Sequence, residues 1–101
     1  MNKIEADEIL SEQINKLRKL SYLELSRFTD VKNIETPEIT GKSETKYQLE
    51  IQAIWDDKPK GNLRVMVSID DGGWRAFAPL TDDFIITPNG YFVGEQGQDV
   101  T

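Results

Sequence analysis

Three adjacent pairs of aspartates, Asp56-Asp57, Asp70-Asp71 and Asp82-Asp83, are the residues whose type and spacing come closest to chemistry. Each pair follows an apolar stretch that reads as strand. In an up-and-down sheet the first and third pairs would reach the same end, two strand spacings or ~10 Å apart. Carboxylates gathered there, with Asn62 beside them, would offer oxygen ligands to a hard cation. A calcium loop, however, draws six or more oxygens from fixed intervals, and the sequence holds no D-x-D-x-D-G run. Aspartate is also a turn former that caps strand ends in solvent, and that reading is preferred. No metal site and no cofactor are expected.

Histidine and cysteine are both absent. Ser-His and Cys-His nucleophiles, zinc fingers and disulfide scaffolds are thereby excluded. The remaining acids and bases are carboxylates, lysine and tyrosine. Glu50 with an aspartate ~5–9 Å away would suit glycoside cleavage. Yet Glu50 and Gln52 fall on the polar side of their strand, the ordinary place for solvated residues. Neither a G-x-S-x-G elbow, a P-loop nor a dinucleotide glycine fingerprint occurs; Gly72, Gly73, Gly90 and Gly94 read as turns or strand ends. The expectation is a protein that is not an enzyme.

Charge bears on partners. The 101 residues suit one domain, expected over residues 1–94 with a flexible polar tail at 95–101. Twelve basic residues face 18 acidic ones, a net charge of −6. Beyond Gly61 the only bases are Arg64 and Arg75, against six acids. A nucleic-acid binder carries a basic stripe, whereas Lys16, Arg18 and Lys19 are interleaved with a helix's apolar positions. No nucleic-acid partner is expected. No run approaches the ~18 apolar residues that cross a bilayer, so no membrane partner is expected either. Acidic balance suits a basic protein partner. With no apolar leader after Met1, the expected location is the cytoplasm.

The elements that would position these groups follow from periodicity. Leu10, Ile14 and Leu17 recur at helical spacing, with Ile4 and Ile9 extending or flanking the stripe. Asn2 and Glu5 make a capping box at its start, and the helix runs to about Lys19. Ser21 and Glu24 form a second box, with Leu20 and Leu25 placed as a hydrophobic staple, which predicts a short helix over 22–28. After Asn33 the period changes to two. Residues 36–40 hold Pro37 and make at most an edge strand. Tyr47, Leu49, Ile51, Ala53 and Trp55 alternate with polar residues, as do Leu63, Val65, Val67 and Ile69.

Asp71-Gly72 then reads as a two-residue turn. It would pair Ile69 with Trp74, Val67 with Ala76, Val65 with Ala78 and Leu63 with Leu80, all on one apolar face. A further short strand is expected at 84–86, a Pro88 turn after it, and Tyr91, Phe92 and Val93 closing the fold. The result is an α+β roll: an N-terminal helix and a short second helix on a curved antiparallel meander of four or five strands. Its element order, and nothing beyond that order, resembles the cystatin-like or NTF2-like helix-plus-sheet shape.

The same register puts Arg64, Met66 and Ser68 beside Arg75, Phe77 and Pro79 on the second face, with Met66 opposite Phe77 and Ser68 opposite Arg75. Met, Phe and Arg are types that interfaces favour. Arg64, Met66, Arg75 and Phe77 are therefore the expected protein-binding residues of a small adaptor, inhibitor or immunity-type module. Its partner would be another protein, or a second copy met through the sheet face or an edge strand. The alternative is a ligand-binding or enzymatic roll whose pocket is lined by Tyr47, Trp55 and Trp74. The bland reading of both tryptophans is core.

Overall fold

The computed structural model describes residues 2–72 and 79–94. Helix α1 spans Lys3–Leu17 and helix α2 spans Tyr22–Ser26, continued by single 3₁₀ turns at Arg27–Thr29 and Val31–Asn33. Strands β1 (Glu38–Thr40), β2 (Lys46–Trp55), β3 (Leu63–Asp70) and β4 (Leu80–Ile86) follow. They form an antiparallel meander in the order β1-β2-β3-β4. The fold is of the α+β class, as the change of period predicts. The expected tail at 95–101 lies outside the described residues.

The two helix starts show how local chemistry is used. The Ser21 hydroxyl accepts from the Glu24 amide at 3.1 Å and the Glu24 carboxylate accepts from the Ser21 amide at 2.9 Å, so the box is reciprocal. Leu25 is then fully buried, with Leu20 packed against the core beside it. At α1 the reciprocity is broken. Asn2 accepts from the Glu5 amide at 3.1 Å, but the Glu5 side chain turns away to the loop before β2. There it accepts from the Ser43 hydroxyl at 2.6 Å, the Ser43 amide at 2.9 Å and the Tyr47 hydroxyl at 2.7 Å. Three donors in a tertiary clasp replace one donor in a local cap. The Tyr47 ring is fully buried, and its hydroxyl, which needs a partner, finds one in Glu5.

Helix α1 buries Ala6, Leu10, Ile14 and Leu17 against β3 and β4. Ala6 completes the stripe four residues before Leu10, where its small side chain allows close approach. Ile4, expected to extend that stripe, is 75% exposed, because it projects from a different side of the helix. The 3₁₀ turn at Arg27–Thr29 lies over β2. Every odd-numbered residue of β3 from Leu63 to Ile69 is fully buried under this layer, as is Leu49, and Ile51, Phe84 and Ile86 are buried beside them.

The β3–β4 register departs from the expected hairpin. Leu63 lies opposite Ile86 instead of Leu80, Val65 opposite Phe84, Val67 opposite Asp82, and Ile69 opposite Leu80. The shift along the partner strand is six residues, an even number. The same face of β3 therefore stays inward, and alternation cannot distinguish the two pairings. What distinguishes them is size: the observed ladder puts Phe84 and Ile86 into the core where the other puts Ala78 and Leu80. Phe84 and Phe92 also pack edge to face at 5.6 Å, joined by a bridge from Ile86 to Phe92. The positions of Trp74, Ala76 and Ala78 lie outside the described residues.

Replacing Phe84 with Ala should lower unfolding stability by about 3–5 kcal/mol, while Asp82→Ala, at an exposed position one pair away, should change it by less than ~0.5 kcal/mol. Urea denaturation checks both, and comparable losses at the two positions would refute this register. A second expectation concerns acid. Donation by Ser43, then by Tyr47, holds the Glu5 carboxyl below its ordinary pKa. A carboxylate whose pKa falls on folding contributes stability that is complete above its unfolded pKa of ~4.3 and is lost as pH drops through the folded value. The Tm gap between wild type and Glu5→Gln should therefore shrink as the buffer falls below pH ~4; a gap unchanged down to pH ~3 would contradict the clasp.

Candidate functional site

The side of the sheet away from α1 is built from the even-numbered residues of β2 and β3 and the odd-numbered residues of β4. Successive cross-strand rows, with β1 contributing to the first two, read Thr40 and Lys46; Glu38, Gln48 and Asp70; Glu50, Ser68 and Thr81; Gln52, Met66 and Asp83; Ile54, Arg64 and Ile85. Met66 and Arg64 thus share this face as expected. Met66 lies opposite Asp83 and Gln52, not Phe77, and Ser68 lies opposite Thr81, not Arg75. Both corrections follow from the six-residue shift. Arg75 and Phe77 lie outside the described residues.

Arg64 is held by two carboxylates. Its guanidinium donates to Asp56 from Nε at 3.2 Å and from Nη2 at 3.0 Å, and to Asp83 from Nη1. Asp83, then Asp56, raises the arginine pKa further, so its charge is permanent. The aspartate pairs thereby find their place. Asp82-Asp83 lies within β4 rather than at its end, because β4 begins at Leu80. Asp56 and Asp83 do converge, but on a guanidinium. Asp57 turns into its own loop, accepting from the amides of Lys58 and Asn62 at 2.8 and 2.9 Å. Among the described residues no group of three or more acidic side chains is placed to hold a metal ion.

The apolar end of this face was not assembled from the sequence. Ile54 is 47% exposed in the row with Arg64 and half-buried Ile85. The Val93 amide donates to the Ile85 carbonyl at 2.8 Å, which extends that row by one more residue. Phe92 packs inward on Phe84, so its neighbours Tyr91 and Val93 project the other way, 64% and 43% exposed. A signal existed: Ile54 breaks the polar alternation of β2, and Ile85 is the middle of three consecutive apolar residues. An apolar residue at a solvent-facing position is what a docking face requires.

Two open depressions meet on this face. One, of about 280 Å³, is lined by Glu50, Gln52, Met66, Ser68, Thr81 and Asp83. The other, of about 410 Å³, includes Arg64, Asp83, Ile85 and Val93, with Arg18 at its rim. Asp83 belongs to both. Arg18 stacks on the Phe92 and Phe84 rings, 4.9 and 5.6 Å from their centres.

Two of the three residues of the alternative pocket do not come together. Tyr47 and Trp55 lie eight residues apart on β2, about 26 Å at ~3.3 Å per residue, so their rings cannot line one cavity. Tyr47 is core, while half-buried Trp55 packs at 6.5 Å from Tyr22, whose hydroxyl donates to the Gly61 carbonyl at 2.6 Å. Trp74 lies outside the described residues. Comparison with protein-family models, curated proteins and solved structures finds no match for this chain.

The Arg64 ion pairs are accessible to water, with the three side chains between 30% and 44% exposed. Screening then keeps their net worth small. Arg64→Met should cost less than about 1 kcal/mol in urea unfolding at low salt, and the difference should vanish near ~1 M sodium chloride. A salt-independent loss several times larger would show that the guanidinium is instead a buried structural charge.

Proposed function

We propose that this chain is a non-enzymatic protein-interaction module of the adaptor, inhibitor or immunity type, acting in the cytoplasm and docking another protein through the open sheet face. The observation that carries this reading is the row Ile54–Arg64–Ile85–Val93, with Met66 in the next row. Three of the exposed large apolar side chains, Ile54, Tyr91 and Val93, fall at this one end of the sheet. Solvent gains nothing from them there, whereas a partner that covers them removes apolar area from water at about 25 cal/mol per Å². The polar rows beside them supply the rim that interfaces carry around an apolar centre. The absence of cysteine suits a reducing compartment. Among the described residues no helix is long and apolar enough to cross a membrane.

The test is affinity capture from host lysate with wild type and Ile85→Asp side by side, after circular dichroism has shown both folded. A protein retained by wild type, lost by Ile85→Asp and retained again by Asn15→Asp, a control at an exposed position on α1, is the expected result. Identical retention by all three chains would remove the docking role from this face.

A further inference from the structure

Resting on the docking reading above, we infer that the partner presents a cationic surface, and that the acidic rows beside the apolar end select it. Among the described residues the rows from Gln48 to Ile85 carry Glu38, Glu50, Asp70 and Asp83 as acids and Arg64 as their only base, Asp56 reaches over to join them, and Lys46, opposite Thr40 one row further on, adds a second base to the face. Among the described residues five carboxylates thus stand against one guanidinium and one ammonium. The positive charges near the groove are already engaged within the molecule. Arg64 is shared by Asp56 and Asp83, and Arg18 stacks on Phe84 and Phe92 at the rim. Neither is presented outward as a lone cation for an acidic partner. Glu50, by contrast, is exposed at the lip of the Met66 depression, and among the described residues its carboxylate has no ion-pair partner.

The geometry also argues against a second copy as the occupant. Two such faces brought together would set five carboxylates and two cations against the same set, within a chain whose net charge is already −6. Like charges across an interface cost several kcal/mol and suppress that pairing. A lysine- or arginine-bearing surface with apolar side chains between its charges meets both halves of the face. The apolar residues cover Ile54, Met66, Ile85 and Val93, while the cations meet Glu50 and Asp70. Asp83, at the junction of the two depressions, is already hydrogen-bonded to Arg64 and so fixes where the neutral and acidic halves divide. Association of this kind is steered by charge and weakens with salt.

Two synthetic peptides of equal length, one alternating lysine with valine and one alternating glutamate with valine, are the probes. Each is titrated into the isotope-labelled full chain and followed by amide and methyl NMR shifts. The lysine peptide should shift Glu50, Met66 and Ile85. Its affinity should fall at least tenfold with Glu50→Lys, a solvent-exposed change that spares the core, and again on raising salt. The glutamate peptide should leave these signals in place. Equal binding of both peptides at this face would overturn the cationic partner while leaving the docking role intact. Shifts from the lysine peptide that ignore Glu50→Lys, or map elsewhere, would overturn the selection by these carboxylates. Failure of both peptides, with self-association abolished by Ile54→Asp in sedimentation, would identify a second copy as the occupant and overturn the inference. Failure of both with no self-association would overturn it as well, and would count against the docking reading too.

Discussion

The ladder between β3 and β4 sets Phe84 beside Val65 and Ile86 beside Leu63, and burial of these side chains under α1 is the constraint on which the rest of the molecule depends. Were β4 displaced along β3 by two residues, the inward face would remain inward, but Phe84 would leave its place beside Val65 and beneath the Arg18 guanidinium. The helix could not then close over the sheet without a void. Large apolar volume, not hydrogen-bond count, holds the register, since every antiparallel pairing of equal length satisfies the same backbone groups.

From that ladder the open face follows without further choice. Fixing Phe84 inward fixes Asp83 and Ile85 outward, one beside Met66 and the other beside Arg64. Arg64 is thereby flanked by Asp83 from β4 and by Asp56 from the end of β2, and the three charges partly neutralise one another in a solvent-accessible cluster. Such a cluster contributes modestly to stability. Its larger consequence is spatial. It sets a neutralised charge within the apolar end, between Ile54 and Ile85, and leaves Glu50 and Asp70 in the rows beyond Met66 without a basic partner.

The second tie in the molecule is polar. Glu5 gives up the local box at the start of α1 and accepts instead from Ser43 and Tyr47, linking the helix to the loop that leads into β2. Asn2 alone is sufficient as a cap, so the carboxylate is free to satisfy the hydroxyl of a buried tyrosine. A helix entry and a strand entry are thus fixed to one another by a single side chain.

Much of the architecture is legible in the residues themselves. The stripe Leu10, Ile14, Leu17, the Ser21–Glu24 box, the alternation of β2 and β3 and the edge strand after Pro37 are all local patterns, and local patterns are set by backbone periodicity and short-range hydrogen bonds. The members of the apolar end could likewise be counted, although Ile54 and Ile85 gain meaning only when they stand in one row. What the chain by itself did not determine was which partner β3 takes. Two registers six residues apart share the same parity, both keep the apolar face of β3 inward although the observed one sets Asp82 opposite Val67, and a turn-forming Asp71-Gly72 favours the shorter one. The choice falls to the packing of Phe84, Ile86 and Phe92 beneath α1, a contact between residues more than sixty positions apart, and such contacts exist only once the tertiary structure has formed.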